Sequence, residues 1–119
     1  MATVNPTISF VGNDAVEFRW ALTSTDADGA PISENHVDYA DRTMVATGTW
    51  GGATLTVEGS MNGSNYTPLS DAASTSALTA TADASAPIAE VPRLTRPNLT
   101  TPGSGAAVNV SILCRRSRT

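Results

Sequence analysis

The most site-like string in the chain is an acidic turn, Asp26-Ala27-Asp28-Gly29, which has the spacing with which a calcium-binding loop begins. Such a loop needs further oxygen ligands and ends in a bidentate glutamate, but Ala30 and Val37 occupy the later ligand positions. The sequence therefore predicts an aspartate-rich turn here and no metal site.

The single histidine, His36, is the next candidate for chemistry, because Asp38 and Asp41 follow it and serines are plentiful. No serine stands in a G-x-S-x-G context, so we interpret His36 as a loop or strand-end residue. A carboxylate pair for glycoside hydrolysis must flank a cleft, which sequence spacing does not show. We expect solvated charges, no catalysis and no cofactor from the acidic residues Glu34, Asp38, Asp41, Glu58 and Glu90.

A single cysteine, Cys114, excludes an internal disulfide and falls short of a zinc-ligand set. It alternates with Val110 and Ile112 on one apolar face, which predicts a buried and unreactive thiol.

The C-terminal string RRSRT concentrates Arg115, Arg116 and Arg118, three of the seven basic residues in a chain of net charge -4. It is either a solvated terminus or an anchor for an acidic surface on a partner. The negative net charge argues against a nucleic-acid partner. The absence of an 18-residue apolar run or a secretory N-terminus leads us to expect no membrane partner.

The elements that position these residues are predicted to be β-strands. The strings VEFRWAL, ATLTVEG and VNVSILC each alternate with a period of two. They point the apolar side chains inward: Val16, Phe18, Trp20, Leu22, Leu55, Val57, Val108, Val110, Ile112 and Cys114. DRTMVATGTW is also rich in strand formers, but its inward face stays open between the parities of Met44 and Val45.

Two glycine-containing turns join the predicted strands. Gly51-Gly52 suits a two-residue hairpin, and Asn62-Gly63 suits a type I′ turn, so the segment between them predicts a β-meander. Pro92 and Pro97 lack N–H donors, which predicts that their segment lies at a sheet edge, at a bulge or beside a subunit contact.

Two strings of small polar residues, TSTDADGAPISENH and SDAASTSALTATADASAP, predict long loops. The fold class expected from these patterns is all-β: a single antiparallel β-sandwich or jelly roll. We divide the chain into an N-terminal arm or first strand (1–14), the sandwich domain (15–114) and a basic C-terminal tail (115–119).

Three segments carry a resemblance to a known group: ADRTMVATGTWGGATLTVEGSMNGSNYTPLSD, AEVPRLTRPNLT and AAVNVSILCRR. They resemble small virion structural proteins of tailed bacteriophages. Those proteins combine an Asp-Arg/Lys-Thr strand, a glycine-rich hairpin, an NPRYVRP-like segment and a last strand ending in arginines. The chain departs from that pattern at Asn62, Tyr66 and Leu94.

The resemblance implies a non-enzymatic capsid decoration or cement protein on the virion surface. Its partner would be the major capsid protein, which it would bridge as a homo-oligomer, with a trimer expected at local threefold positions. We expect contacts from the N-terminal arm (2–10), the loop 25–36 and the arginines. The residues predicted to bind the partner are Thr3, Val4, Asn5, Asp26, Asp28, Arg93, Arg96, Arg115 and Arg116.

A second resemblance supplies the alternative. The strings VEGSMNGSNYTPL and VPRLTRPNLT are similar to half of a discoidin-like domain, which implies a carbohydrate-binding module. Sugar platforms expose several aromatic rings, whereas alternation places Phe18 and Trp20 in the core. Trp50 and Tyr39 stay open between core and surface. A small enzyme is the third class.

Overall fold

The computed structural model describes residues 3–116, which form two packed β-sheets. The strands are β1 (Thr3–Val4), β2 (Thr7–Phe10), β3 (Ala15–Thr23), β4 (Asp28–Gly29), β5 (Asp41–Thr49), β6 (Thr54–Ser60), β7 (Thr67–Pro68), β8 (Thr79–Ala80), β9 (Ala84–Ile88), β10 (Leu94–Thr101) and β11 (Ala107–Arg115). The one helical element among the described residues is the 3-10 helix Glu34–His36.

The first sheet has the strand order β1-β4-β10-β6-β7, with β8 also paired to β6, and the second has the order β2-β3-β11-β5-β9. Neighbouring strands are antiparallel except β1 and β4. The predicted β-sandwich is therefore confirmed.

The core lies between the sheets and is built by the alternation seen in the sequence. Every residue predicted to face inward on β3, β6 and β11 is buried. On β5 the structure resolves the open register: Met44 and Ala46 face the core, while Val45 is 44% exposed. Arg42 shares the inward parity and is 1% exposed.

The turn at Gly51-Gly52 has the predicted conformation but a different role. Both φ angles are positive, 55° and 84°, and the Ala53 N–H donates to the Trp50 carbonyl at 2.8 Å. However, β5 lies in the second sheet and β6 in the first, so the turn carries the chain between sheets. The predicted hairpin and β-meander are wrong, because both sides of β5 are already occupied by β11 and β9.

The next connection does form a hairpin, between β6 and β7, but not through a type I′ turn. Gly63 has a φ of 80°, whereas Asn62 is not among the residues with positive φ. The Asn62 side-chain oxygen instead accepts the N–H groups of Ser64 and Asn65 at 2.8 and 2.9 Å. The side chain of Asn62 thus organises a longer loop.

The two segments predicted as long loops contain strands. The first includes β4 and the 3-10 helix, and the second includes β8 and β9. All five residues of β9 pair with β5. The loop prediction is wrong there, because the small residues of β9 show no apolar alternation and are ordered by the neighbouring strand.

The strand β10 is not an edge strand, so of the three alternatives drawn from its prolines the sheet edge is wrong. A register irregularity does occur in β10, between Leu99 and Thr101. The strand lies between β4 and β6 and is paired with β6 along most of its length. Pro97 shares the parity of Thr95 and Leu99, whose backbone groups bond toward the β4 side. The missing N–H therefore faces β4, which is only two residues long. Gly29 allows this approach, since a Cβ there would lie 2.7 to 2.8 Å from Pro97 atoms.

The N-terminal segment contributes one strand to each sheet. Residues of β1 pair with β4 at the edge of the first sheet, and β2 pairs with β3 at the edge of the second. Asn5 and Pro6 make the passage between the sheets. Of the alternatives left open for 1–14, the structure therefore has first strands. Ala2 of the expected arm and Arg118 of the tail lie outside the described residues.

Candidate partner-binding surfaces

Three of the predicted contact residues, Arg93, Arg115 and Arg116, lie at the same end of the sandwich. Arg93 immediately precedes β10, and Arg115 is the last residue of β11, where it pairs in register with Asp41 at the start of β5. A hydrogen bond between Arg42 and Thr95 links the starts of β5 and β10 across the sheets. We call the surface formed by Arg93, Arg115 and Arg116 the arginine end.

Each guanidinium at the arginine end has a carboxylate partner. Arg115 Nη2 lies 2.7 Å from Asp41 Oδ2, Arg116 Nε lies 3.9 Å from Asp14 Oδ1, and Arg93 pairs with Glu34. The Arg93 guanidinium lowers the pKa of Glu34 through a hydrogen bond and its charge. The three arginine side chains remain 52%, 47% and 50% exposed, so they are held in place yet accessible.

An aromatic ring further fixes Arg116. Its Nη2 donates to the Tyr39 hydroxyl at 3.1 Å, and its guanidinium carbon lies 4.6 Å from the ring centroid. Stacked, hydrogen-bonded guanidinium groups lose less freedom on meeting a partner than solvated ones do.

Beneath this surface lies Arg42, a residue that the sequence interpretation did not single out. Its Nε donates to the Tyr39 carbonyl at 2.9 Å, its Nη2 to the His36 carbonyl at 3.1 Å and its Nη1 to Thr95 Oγ1 at 3.0 Å. Burial lowers its pKa. Arg42 thus ties the segment 36–39 and the two sheets together. Its burial could have been suspected from the sequence, because Arg42 has the same parity along the strand as Met44.

The remaining predicted contacts lie elsewhere. Arg96 is on the first sheet, where its Nε lies 3.1 Å from Glu58 Oε1 and its guanidinium carbon 3.8 Å from the Tyr66 ring centroid. Thr3 and Asp28 are register partners on the same sheet. These three residues belong to the first sheet, whereas Arg115 ends β11 in the second sheet.

The last three predicted contacts, Val4, Asn5 and Asp26, differ in their surroundings. Val4 packs against the core, so its side chain serves the fold. Asn5 is exposed between β1 and β2. Asp26 lies in the β3–β4 turn, where its N–H donates to Thr23 Oγ1 at 3.0 Å, at the opposite end of the sandwich from the arginine end.

The residues considered for catalysis make packing contacts and ion pairs within the fold. The His36 ring packs edge-on against Phe18, with centroids 5.2 Å apart. Asp41 and Glu58 are buried, which corrects the expectation of solvated charges there, and they pair with Arg115 and Arg96. Within residues 3–116, no three His, Cys, Asp or Glu side chains are grouped closely enough to hold a metal ion. Cys114 is fully buried as predicted, and burial raises the pKa of its thiol to about 11.

The aromatic residues do not assemble a flat platform within the described chain. Tyr39 is buried, and Trp50 packs partly against the core while its Nε1 donates to Asp83 Oδ1 at 2.9 Å. Tyr66 is covered by Arg96. Phe10, by contrast, is 66% exposed on the edge strand β2.

Two shallow surface grooves accompany these features. One, of about 420 Å³, lies beside the β6–β7 loop and includes Met61 and Glu90. The Glu90 carboxylate accepts the Ser70 N–H at 2.7 Å, a bond that lowers the pKa of Glu90. The other, of about 380 Å³, lies on the second sheet beside Arg19 and Asn109.

No protein-family model matches the chain, and comparison with curated proteins finds no significant match. No helix among residues 3–116 has the length and apolar character needed to span a membrane.

Proposed function

We propose that this chain is a non-enzymatic structural protein of a tailed-phage virion, a capsid decoration or cement protein that bridges major capsid protein subunits. One observation carries the proposal. The segments on which the phage resemblance rests are far apart in the sequence, yet Asp41 pairs with Arg115, and Arg93 lies at the same end of the sandwich.

The arrangement suits attachment to a polar protein surface. Arg93, Arg115 and Arg116 are about half exposed and already oriented by Glu34, Asp41 and Tyr39. Guanidinium groups bind carboxylates and backbone carbonyls through several donors in a fixed plane. An acidic or carbonyl-rich patch on the capsid would therefore be recognised with little reorganisation.

Stabilisation of a shell by such a protein follows from repetition. Each contact need only be modest, since an oligomer that touches several capsid subunits gains affinity from effective concentration. The sandwich supplies rigidity, because its core is closed and Arg42 fastens the segment beneath the arginine end. Binding through the arginine end requires no conformational change in the core.

The discoidin-like alternative gains no support from a specific contact. Trp50, the ring that a sugar would most directly reach by the sequence interpretation, has its indole N–H bonded to Asp83. The test below therefore includes glycan binding as the competing function.

The test is co-sedimentation with capsids assembled from the major capsid protein encoded in the same genome as this chain. We expect the wild-type protein to pellet with capsids and to raise their disruption temperature. A variant combining Arg93→Glu, Arg115→Glu and Arg116→Glu should bind at least tenfold more weakly. The matched control is Arg19→Glu, since Arg19 is 55% exposed and ion-paired with Glu17 but lies on the second sheet.

Absence of wild-type binding would overturn the proposal, and a change in Trp50 emission with a glycan would then favour the alternative. Equal loss in the triple variant and in Arg19→Glu would reject the arginine end as the contact. Circular dichroism of each variant establishes that the fold is intact before binding is compared.

A further inference from the structure

Among the described edge strands, β2 is the longest that has neither charge nor proline. Its four residues are Thr7, Ile8, Ser9 and Phe10, with no charge and no proline. Ile8, Phe10 and the adjacent Val11 are 50%, 66% and 53% exposed. Exposed apolar edge strands invite pairing with another strand, and proteins usually protect edges by short length, charge, proline or a covering segment.

The other edges among residues 3–116 carry such protection. On β9, Pro87 has no N–H, and the segment beside it bonds across: Ala72 N–H donates to the Pro87 carbonyl, and Ala89 N–H to the Ser70 carbonyl. In the first sheet, β1, β7 and β8 are each two residues long. The strand β2 is thus the longest described edge that is open.

The free backbone groups of β2 can be assigned from its register. The Val11 N–H donates to the Ala15 carbonyl at 2.9 Å, which continues the pairing of β2 with β3. Bonding direction alternates along a strand, so Thr7 and Ser9 also bond toward β3. Ile8 and Phe10 therefore direct their N–H and C=O groups to the open side.

We propose that β2 pairs antiparallel with β2 of a second copy about a twofold axis beside Ser9. In this register Ile8 of one copy lies opposite Phe10 of the other, and each pair exchanges two N–H···O=C bonds. All four outward backbone groups of each β2 are then satisfied. A register shifted by two residues in one direction would place Pro6 opposite Phe10 and lose a donor. A shift in the other direction would place Ile8 opposite Gly12, which lies beyond the end of β2 and has a φ of 71°. The Ser9-centred register is therefore favoured.

Side chains favour the same arrangement. Ile8 and Phe10 lie on the face of the second sheet that carries Phe18 and Val16, their register partners on β3. Pairing places an aromatic ring beside a β-branched side chain twice, which is a favourable cross-strand combination. No charged residue of β2 opposes its own copy, since the strand has none.

The second copy is the occupant because the open edge is self-complementary and no other described edge can receive it. Head-to-tail association would require two different open edges, and the remaining edges are short or blocked. The geometry therefore favours a twofold dimer with a continuous ten-stranded sheet over the trimer expected from shell positions. This inference stands apart from capsid binding.

The experiment combines solution mass with site-specific crosslinking. Light scattering coupled to size exclusion should give the mass of a dimer at tens of micromolar, and Ile8→Lys together with Phe10→Lys should give a monomer. Val45→Lys is the control, because Val45 is 44% exposed on the interior strand β5. Its dimer should persist.

Crosslinking tests the register. In Ser9→Cys the two cysteines would face each other across non-hydrogen-bonded positions, about 4.5 Å apart at Cα, which permits a disulfide. In Thr7→Cys they would be offset by four residues, roughly 13 Å along the strands, which forbids one.

A disulfide-linked dimer from Ser9→Cys alone supports the register. A wild-type monomer at all concentrations, a trimeric mass, or equal crosslinking at both positions would overturn the proposal.

Discussion

The buried guanidinium of Arg42 offers the sharpest test of how this fold is held together. In Arg42→Ala, the carbonyls of His36 and Tyr39 and the hydroxyl of Thr95 lose their shared donor, and a cavity replaces the side chain. Hydrogen bonds to charged groups contribute about 1.5–3 kcal/mol each, and a buried acceptor that loses its donor costs about 1–3 kcal/mol. We expect a loss of about 3–5 kcal/mol in the free energy of unfolding.

The loss is large against the total stability of a domain, which is about 5–15 kcal/mol. For a chain of this length it corresponds to a fall in melting temperature of roughly 10–20 °C. Urea unfolding followed by the fluorescence of the buried Trp20 measures the free energy directly. Arg42→Met fills much of the volume of the arginine side chain but supplies no hydrogen-bond donors. It should therefore recover only the part of the lost stability that is due to the cavity.

The control is Arg19→Ala, which removes a half-exposed arginine whose Nε lies 3.9 Å from Glu17 Oε1. A surface pair of this kind contributes about 0–1 kcal/mol. If Arg42→Ala cost no more than Arg19→Ala, or if Arg42→Met were more stable than wild type, the three bonds would not hold the segment 36–39 and the sheets as described.

Two further predictions concern buried contacts. Burial raises the folded-state pKa of Cys114 to about 11 from an ordinary 9.0. Between these pH values the unfolded thiol loses its proton while the folded one keeps it, so the free energy of unfolding should fall as pH rises from about 9 to about 11. Urea unfolding at stepped pH should show this fall in the wild type and not in Cys114→Ala. In Gly59→Ala, the new Cβ would lie 2.4 Å from Pro92 Cγ and 2.7 Å from Leu69 Cδ2, so we expect a loss of about 1–3 kcal/mol. Adding Pro92→Ala should restore part of that loss, and a neutral Gly59→Ala would contradict the packing.

Local pattern was sufficient for the core strands. Alternation on β3, β6 and β11 identified the side chains that face the core, although on β6 the opposite face, with Thr56 and Glu58, is buried too. It was insufficient for β9, whose small residues lack a pattern and are ordered by pairing with β5. It was also insufficient for the inward face of β5, whose small residues left both parities open and whose Arg42 is buried on the core side.

For the candidate site, the sequence indicated the residues but not their arrangement. Arg93, Arg115 and Arg116 were predicted as contacts from their charge and their place in the sequence. Their assembly at one end depends on the pairing of β5 with β11 and on the bond between Arg42 and Thr95. The open edge of β2 was invisible in the sequence, because an edge exists only once every other strand has been placed.

The sequence by itself determined the strand faces, the buried thiol and the backbone conformation of the Gly51-Gly52 turn. These depend on side-chain period and on the steric freedom of individual residues, which act over a few positions. Only the tertiary structure decided that this turn joins two sheets, that β10 lies inside its sheet and that Arg42 is buried. Those outcomes depend on which distant segments compete for each strand edge and for the shared core, and that competition is settled over the whole chain at once.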